Sequence, residues 1–425
     1  MSEVLCVLIN GRLVGRIHQN QGTLSLSYSP EWVRDPEAFP ISLSMPLVAE
    51  RHTEAVAPFL WGLLPDNPQV LDAWGRAFHV SSRNPFRLLA HVGEDCPGAL
   101  QLCSEARVGE LLKLSPPQIE WIAESEIEAQ LARLREDHTA WQDLDGDGRF
   151  SLAGAQPKTA LFWDGERWGK PSGRTPTTHI LKPGIPGLAG SVENEYFCLA
   201  LARRLGMPTV HAVPMRFGRE TAIVIERYDR RRRPDRAVLR IHQEDFCQAL
   251  QVHPSRKYQN EGGPGPVDVA DLLRENSSDQ ASDLERFVRA LIFNWLIGGT
   301  DAHAKNYSLL IGARRTVRLA PLYDVASILP YDHFDARRVK LAMKIGSKYR
   351  LHEVGAADWR KLAKSLRVGD ERVIQWAREL TARIPEEVEA LAAECVELGI
   401  RHPILAKLAP ALTARSSLCA RLLNA

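Results

Sequence analysis

Hydrophobic and polar positions change rhythm along this chain. Apolar Val4–Ile9 reads as a strand, Asn10-Gly11 as a hairpin turn and Leu13–Ile17 as the return strand. Leu24–Tyr28 alternates apolar and polar residues at period two, again a strand. Pro116-Pro117 opens a polar, amphipathic helical stretch that should run to about Asp137. Short strands are predicted over Lys158–Trp163, His179–Lys182 and Thr221–Ile225, with Asp164-Gly165 as a turn and Arg167–Lys170 as the start of a return. Ser191 suits an N-cap for a helix carrying Val192, Leu199, Ala202 and Leu205, which Gly206 and Pro208 stop.

Beyond Asp229 helical spacing prevails. Ser282 and Glu285 form a capping-box pattern, and Leu284, Phe287, Val288, Leu291, Ile292, Trp295 and Leu296 follow at helical intervals until Gly298-Gly299. Pro385 is expected to start a helix that Gly399 closes. A β-rich part followed by a helix-rich part predicts an α+β protein of two lobes with a cleft between them. The expected divisions are 1–110 for an N-terminal extension, 111–228 for a β-rich lobe and 229–425 for a helical lobe.

Composition narrows the function classes. The 425 residues are 44% hydrophobic and 25% charged, and 54 basic against 52 acidic side chains leave a formal charge of +2. That excludes charge-driven disorder and argues against indiscriminate nucleic-acid binding. The seven cysteines lack Cys-x-x-Cys spacing, so neither a zinc knuckle nor a disulfide framework is expected. No apolar run approaches the ~18 residues of a membrane span, and a cytoplasmic protein is expected.

The densest chemistry lies in Gly298–Ser308. Asp301 is followed five residues later by Asn306, then by a hairpin of Tyr307–Ile311, a basic turn at Arg314-Arg315 and Val317–Ala320, which delivers Tyr323-Asp324. Phosphoryl transfer to an alcohol needs such a set. One carboxylate orients the hydroxyl and takes its proton, while an amide oxygen and a second carboxylate hold magnesium. Upstream, the small-residue loop Ser151–Thr159 lets backbone N–H groups approach phosphate oxygens, and Lys182 ends a strand within reach of phosphates. Glu226-Arg227-Tyr228 stands where an interlobe hinge would bind adenine.

Each segment alone has an ordinary structural use. Asp301 and His303 could cap a loop, Lys182 could be a solvated strand end, and Ser151–Thr159 could be a plain turn. In this order they point together to a kinase. Other patterns fail: Asp143-x-Asp145-x-Asp147-Gly148 begins like a calcium loop but has Gly154 where the bidentate Glu belongs. Arg230–Arg233 reads as a solvated hairpin turn. His303 lacks a second histidine at ligand spacing.

At these residues the chain resembles the HipA family, the kinase toxins of bacterial type II toxin–antitoxin operons. The likeness is carried by Ser151–Thr159 (SLAGAQPKT), His179–Pro183 (HILKP), Glu193–Leu201 (ENEYFCLAL), Glu226–Arg230 (ERYDR), Lys257–Gly265 (KYQNEGGPG), Thr300–Ser308 (TDAHAKNYS) and Leu319–Val325 (LAPLYDV). Ile41–Pro46 (ISLSMP) and Phe59–Asn67 (FLWGLLPDN) extend it to the N-terminal part. The resemblance implies a two-lobed, protein-kinase-like fold that transfers the γ-phosphate of ATP to serine or threonine of a protein. In the best-known members that protein is an aminoacyl-tRNA synthetase.

Carried over, Asp301 is the catalytic base, and Asn306 and Asp324 are the Mg2+ ligands. Ala153, Gly154, Ala155, Gln156, Pro157 and Lys158 form the phosphate loop, Lys182 binds phosphate, and Glu226, Arg227 and Tyr228 contact adenine. His303, Lys305 and Tyr323 line the nucleotide site. Ser151 matches a serine that such kinases phosphorylate on themselves, which would place about −2 charge at the phosphate loop. Gly184–Ser191 resembles the mobile activation loop. The implied partner is a small helix-turn-helix (HipB-like) antitoxin through which DNA is reached. A small-molecule or lipid kinase of similar fold, or a catalytically silent co-repressor subunit, are the alternative readings.

Overall fold

The computed structural model of the chain describes residues 3–113, 116–141, 150–235, 237–335 and 338–424. The calcium-like run Asp143–Gly148 therefore lies outside the described residues. Contacts divide the chain into two units. One comprises Met1–Pro183, Met215–Ser255 and Ser308–Val317; the other comprises Gly184–Pro214, Arg256–Tyr307 and Arg318–Ala425.

The first unit starts with a meander, β1 (Glu3–Ile9), β2 (Arg12–Asn20) and β3 (Thr23–Tyr28), joined on the other side of β1 by β4 (Leu100–Ser104) in the order β3-β2-β1-β4. Asn10 and Gly11 both have positive φ, 48° and 77°, the turn that matches strand twist in a two-residue hairpin. Helix α1 (Val56–Gly62) buries Phe59 and Leu60. A six-stranded sheet then runs β5-β7-β6-β8-β10-β9, where β5 is Gln118–Ile122, β6 Thr159–Trp163, β7 Trp168–Ser172, β8 His179–Pro183, β9 Ala212–Phe217 and β10 Glu220–Glu226. Helix α2 (Glu124–Glu136) lays Ile127, Leu131 and Leu134 on β8 and β10.

Here the helical expectation for the stretch up to Asp137 is corrected at its start. Gln118–Ile122 pairs with β7 as an edge strand, and the helix begins only at Glu124. The sequence beyond Asp229 is also less helical than expected. Short strands β11 (Arg230–Arg232), β12 (Val238–Arg240) and β13 (His242–Asp245) come first, and β13 pairs with β14 (Ser308–Gly312). The strand β15 (Thr316–Leu319) returns from β14 through Arg314 and Arg315, both left-handed at φ 56° and 57°.

The second unit is mainly helical. Helix α3 (Ser191–Arg204) has Gly190 at its N-cap position, and the Ser191 hydroxyl instead accepts from Ile185 N. Helix α4 (Gln280–Ile297) is capped by Asp279 rather than Ser282, and Gly298 ends it at φ 68°. A short strand, β16 (Lys340–Ile345), precedes the paired helices α5 (Asp370–Glu397) and α6 (Pro403–Asn424). Pro385 does not start a helix; it lies within α5. A proline there leaves the carbonyl four residues earlier without its helical donor. The Ser416 hydroxyl of α6 supplies one, donating to Thr381 O at 2.7 Å, so helix pairing offsets the defect.

Candidate active site

In the first unit the loop before β6 is held from three sides. Ser151 N donates to Asp95 O at 3.0 Å and Ser151 Oγ to Leu63 O at 2.6 Å. Asp66 N donates to Gly154 O at 2.9 Å. Gly154 has φ 102°, and a Cβ there would stand 2.9 Å from Lys158 Nζ, so only glycine fits without strain. Lys158 Nζ reaches back to Ala153 O at 3.0 Å and lies 4.6 Å from the centre of the Trp141 ring. The ammonium thus closes the loop from within. Ala155 is exposed at the tip, and Gln156 Nε2 touches Pro183 O at 3.4 Å. Lys182 is buried on β8, opposite Ile223 of β10.

The segment Glu226–Arg230 does two things at once. Glu226 is exposed at the end of β10, and Tyr228 hydrogen-bonds Gln243. Arg227, Asp229 and Arg230 turn inward. Arg227 donates to Asp229 and Asp95, and Arg230 and Arg240 both reach Asp95 Oδ1, at 2.8 and 3.2 Å. Burial would push the Asp95 carboxyl up, but Arg230, Arg227 and Arg240 beside it hold it below the usual carboxylate range. Burial and the neighbouring Arg227 bring Arg230 down to about 10.

One expectation changes here. The Arg227 side chain is committed to this buried network, and its N–H donates to Thr178 O at 2.9 Å. Arg230 is no part of a solvated turn; Arg231–Arg233 alone are exposed. Asp95 carried no signal in the sequence, since its three arginine partners lie more than a hundred residues away.

The N-terminal motifs have a comparable role. His242 Nε2 meets Ile41 O at 2.9 Å, and Glu244 receives Leu43 N at 2.8 Å and Ser42 Oγ at 2.5 Å. Burial pushes Glu244 up to about 8 against those two donors.

In the second unit the loop after α4 folds back on itself. His303 N and Asn306 Nδ2 both donate to Asp301 O at 2.8 Å. The spacing of five residues is what lets this side chain reach that carbonyl. With its nitrogen so placed, the Asn306 amide presents its oxygen as a hard donor, and Asp324, exposed at φ 53°, is a second. Both are donors that suit Mg2+. Tyr323 OH donates to Lys305 O at 2.8 Å and so joins the segment carrying Asp324 to the one carrying Asn306. His303 and Lys305 are buried within the loop, and Asp301 is exposed. Tyr258, given no role by the sequence, donates to Asp301 Oδ1 at 2.5 Å.

A β-rich unit with a small-residue loop, and a helical unit with a closed Asp-x-x-x-x-Asn loop, define an α+β protein of kinase-like fold. The pattern described as the HipA N-terminal domain matches residues 5–103, and the HipA-like C-terminal domain matches residues 150–388. The chain belongs to the HipA family. It is 39% identical over 399 residues to "Putative kinase Y4mE" of Sinorhizobium fredii, covering 92% of this chain and 91% of that one. To the serine/threonine-protein kinase toxin HipA of Shewanella oneidensis it is 30% identical over 86% of this chain and 83% of the relative. The solved complex of S. oneidensis HipA, HipB and operator DNA contains a chain that superposes with TM-score 0.82 at 26% identity, covering 97% of this chain and 96% of that one.

Proposed function

We propose that this protein is an ATP-dependent serine/threonine protein kinase toxin of a type II toxin–antitoxin pair. The observation that carries the reading is the loop Asp301–Asn306, closed by the Asn306 amide on the Asp301 carbonyl at 2.8 Å. That closure holds the residue carrying a carboxylate and an amide side chain in one turn, the pair that hydroxyl activation and metal binding require.

In this reading Asp301 orients the acceptor hydroxyl and takes its proton as the oxygen attacks the γ-phosphorus and ADP leaves. Asn306 and Asp324 would hold Mg2+, which when bound neutralises charge on the phosphates. Ala153–Lys158 offers backbone N–H groups to phosphate, with Lys158 shaping the loop, and Lys182 supplies an ammonium. Glu226, Arg227 and Tyr228 are the proposed adenine contacts, made through their backbone. His303, Lys305 and Tyr323 complete the nucleotide site.

The acceptor class is a protein serine or threonine, with an aminoacyl-tRNA synthetase as the target suggested by the family. Ser151 is the proposed site of self-phosphorylation. The relative's complex with HipB and operator DNA supports a helix-turn-helix antitoxin as partner, with DNA reached through it. A cytoplasmic setting agrees with seven buried free cysteines, and among the described residues no helix is long and apolar enough to cross a membrane.

The test uses the purified full chain with γ-labelled ATP, Mg2+ and a bacterial lysate, beside the Asp301→Asn variant. Label should enter protein at serine or threonine and vanish with the variant. Label confined to small molecules, or no binding of Mg-ATP at millimolar concentration, overturns the reading.

A further inference from the structure

The stretch Lys257–Gly265 has no part in the kinase reading so far, yet it is bracketed firmly against the loop that carries Asp301. Ala304 N donates to Lys257 O at 3.3 Å, and Gln259 Oε1 accepts from Lys344 N of β16 at 2.8 Å. The bracket is closed on itself, because Glu261 N and Gly263 N both donate to Tyr258 O at 3.0 Å. It is also tight: a Cβ on Gly263 would stand 1.9 Å from Arg256 O, so no other residue fits there.

This rigid piece presents one side chain to the proposed base. The Tyr258 ring stands edge-on to His303, centroids 5.0 Å apart at 86°, and its hydroxyl donates to Asp301 Oδ1 at 2.5 Å. The Asp301 main chain is already fixed by His303 N and Asn306 Nδ2. Its side chain is exposed and would otherwise turn about χ1 and χ2 among several orientations. A hydrogen bond to an ionised acceptor is about twice as strong as a neutral one. Occupying Oδ1 fixes the carboxylate plane and leaves Oδ2 to meet an acceptor hydroxyl.

We infer that Tyr258 is a positioning residue for phosphoryl transfer: its hydroxyl holds Asp301 Oδ1 so that Oδ2 faces the incoming hydroxyl. The inference rests on the reading of Asp301 as the base. Positioning acts on the rate of the chemical step and leaves nucleotide affinity alone. Misplacing a reacting group by a fraction of an ångström to an ångström costs about ten- to a hundredfold in rate.

The test compares the full chain with Tyr258→Phe, which keeps the ring against His303 and removes only the hydroxyl. ADP release from Mg-ATP gives kcat and KM, and thermal melting monitors the fold. The expected result is a fall in kcat of about tenfold, with KM for Mg-ATP and the melting temperature unchanged. A kcat within twofold of the parent overturns the inference, and so does a fall matched by a raised KM or a lowered melting temperature, which marks a purely structural role. A parent that releases no ADP, or an Asp301→Asn variant that releases it at the parent rate, fails the base reading instead, whatever Tyr258→Phe does.

Discussion

The Ser151 hydroxyl donates to the Leu63 carbonyl at 2.6 Å, and the serine is fully buried. The residue proposed to receive phosphate is thus a structural clasp between the loop before β6 and the end of α1. A phosphate group cannot be housed there without moving the loop.

Ser151→Ala should therefore destabilise the chain even though it removes one oxygen, by about 1–3 kcal/mol, because the buried Leu63 carbonyl loses a donor. Ser151→Asp should destabilise it more, since a carboxylate is buried in place of a hydroxyl. Chemical denaturation ranks the three proteins. In the parent, phosphate on Ser151 should weaken Mg-ATP binding about tenfold or more and open residues 151–157 to proteolysis. Phosphorylation at Ser151 with unchanged nucleotide affinity would contradict this.

Asp301 and Asn306 should separate by phenotype. Asp301→Asn keeps the loop carbonyl bonded to Asn306 and loses only the proton acceptor, so phosphoryl transfer should fall by about 10²–10⁴-fold with Mg-ATP affinity retained. Asn306→Ala loses both the amide oxygen and the link at 2.8 Å to Asp301. Its rate should fall as well, and the Mg2+ concentration giving half-maximal rate should rise. Initial rates across a magnesium titration distinguish the two.

Asp95→Asn addresses the buried arginines. Asp95 contacts Arg227, Arg230 and Arg240, and its removal as a charge leaves three guanidinium groups with one carboxylate among these partners, Asp229, which only Arg227 and Arg230 reach. Breaking a buried ion network by deleting one partner costs about 3–5 kcal/mol. Guanidinium denaturation should show a loss of that order, and an unchanged midpoint would remove the network from the stability of this unit.

Glu244 gives a pH dependence of known sign. Its carboxyl has an ordinary value of 4.5 and is raised to about 8 in the folded chain by burial. Below 4.5 the group is protonated whether folded or unfolded, and its full contribution is present. As pH rises towards 8 the unfolded chain releases the proton while the folded chain keeps it, so stability is lost across that window and the loss is complete above it. The magnitude is on the order of a few kcal/mol. Glu244→Gln should flatten the difference in denaturation midpoint between pH 5 and pH 9. A parallel pH profile in the variant would refute the assignment.

Most of the short-range structure was legible in the sequence. The Asn10-Gly11 hairpin, the stop at Gly298 and the Asp301–Asn306 spacing depend on backbone bonds made within a few residues, which local residue types dictate. Pro385 misled because its missing N–H is compensated by Ser416, and Gln118–Ile122 misled because β7 recruited it. Neither partner lies nearby in sequence.

The sequence by itself determined the strand and helix rhythm, the turns and the family membership, down to the order of the residues proposed to act on phosphate. Only the tertiary structure decided which charged groups are buried in ion networks and which stay exposed. Arg227 and Glu226 are adjacent, yet one is buried on Asp95, 132 residues away, and the other is exposed. Tyr258 lies 43 residues before Asp301 and meets its carboxylate. The physical reason is common to all of these. Local spacing fixes which backbone groups can pair, whereas the burial and the counter-charge of a side chain depend on segments that return from far along the chain.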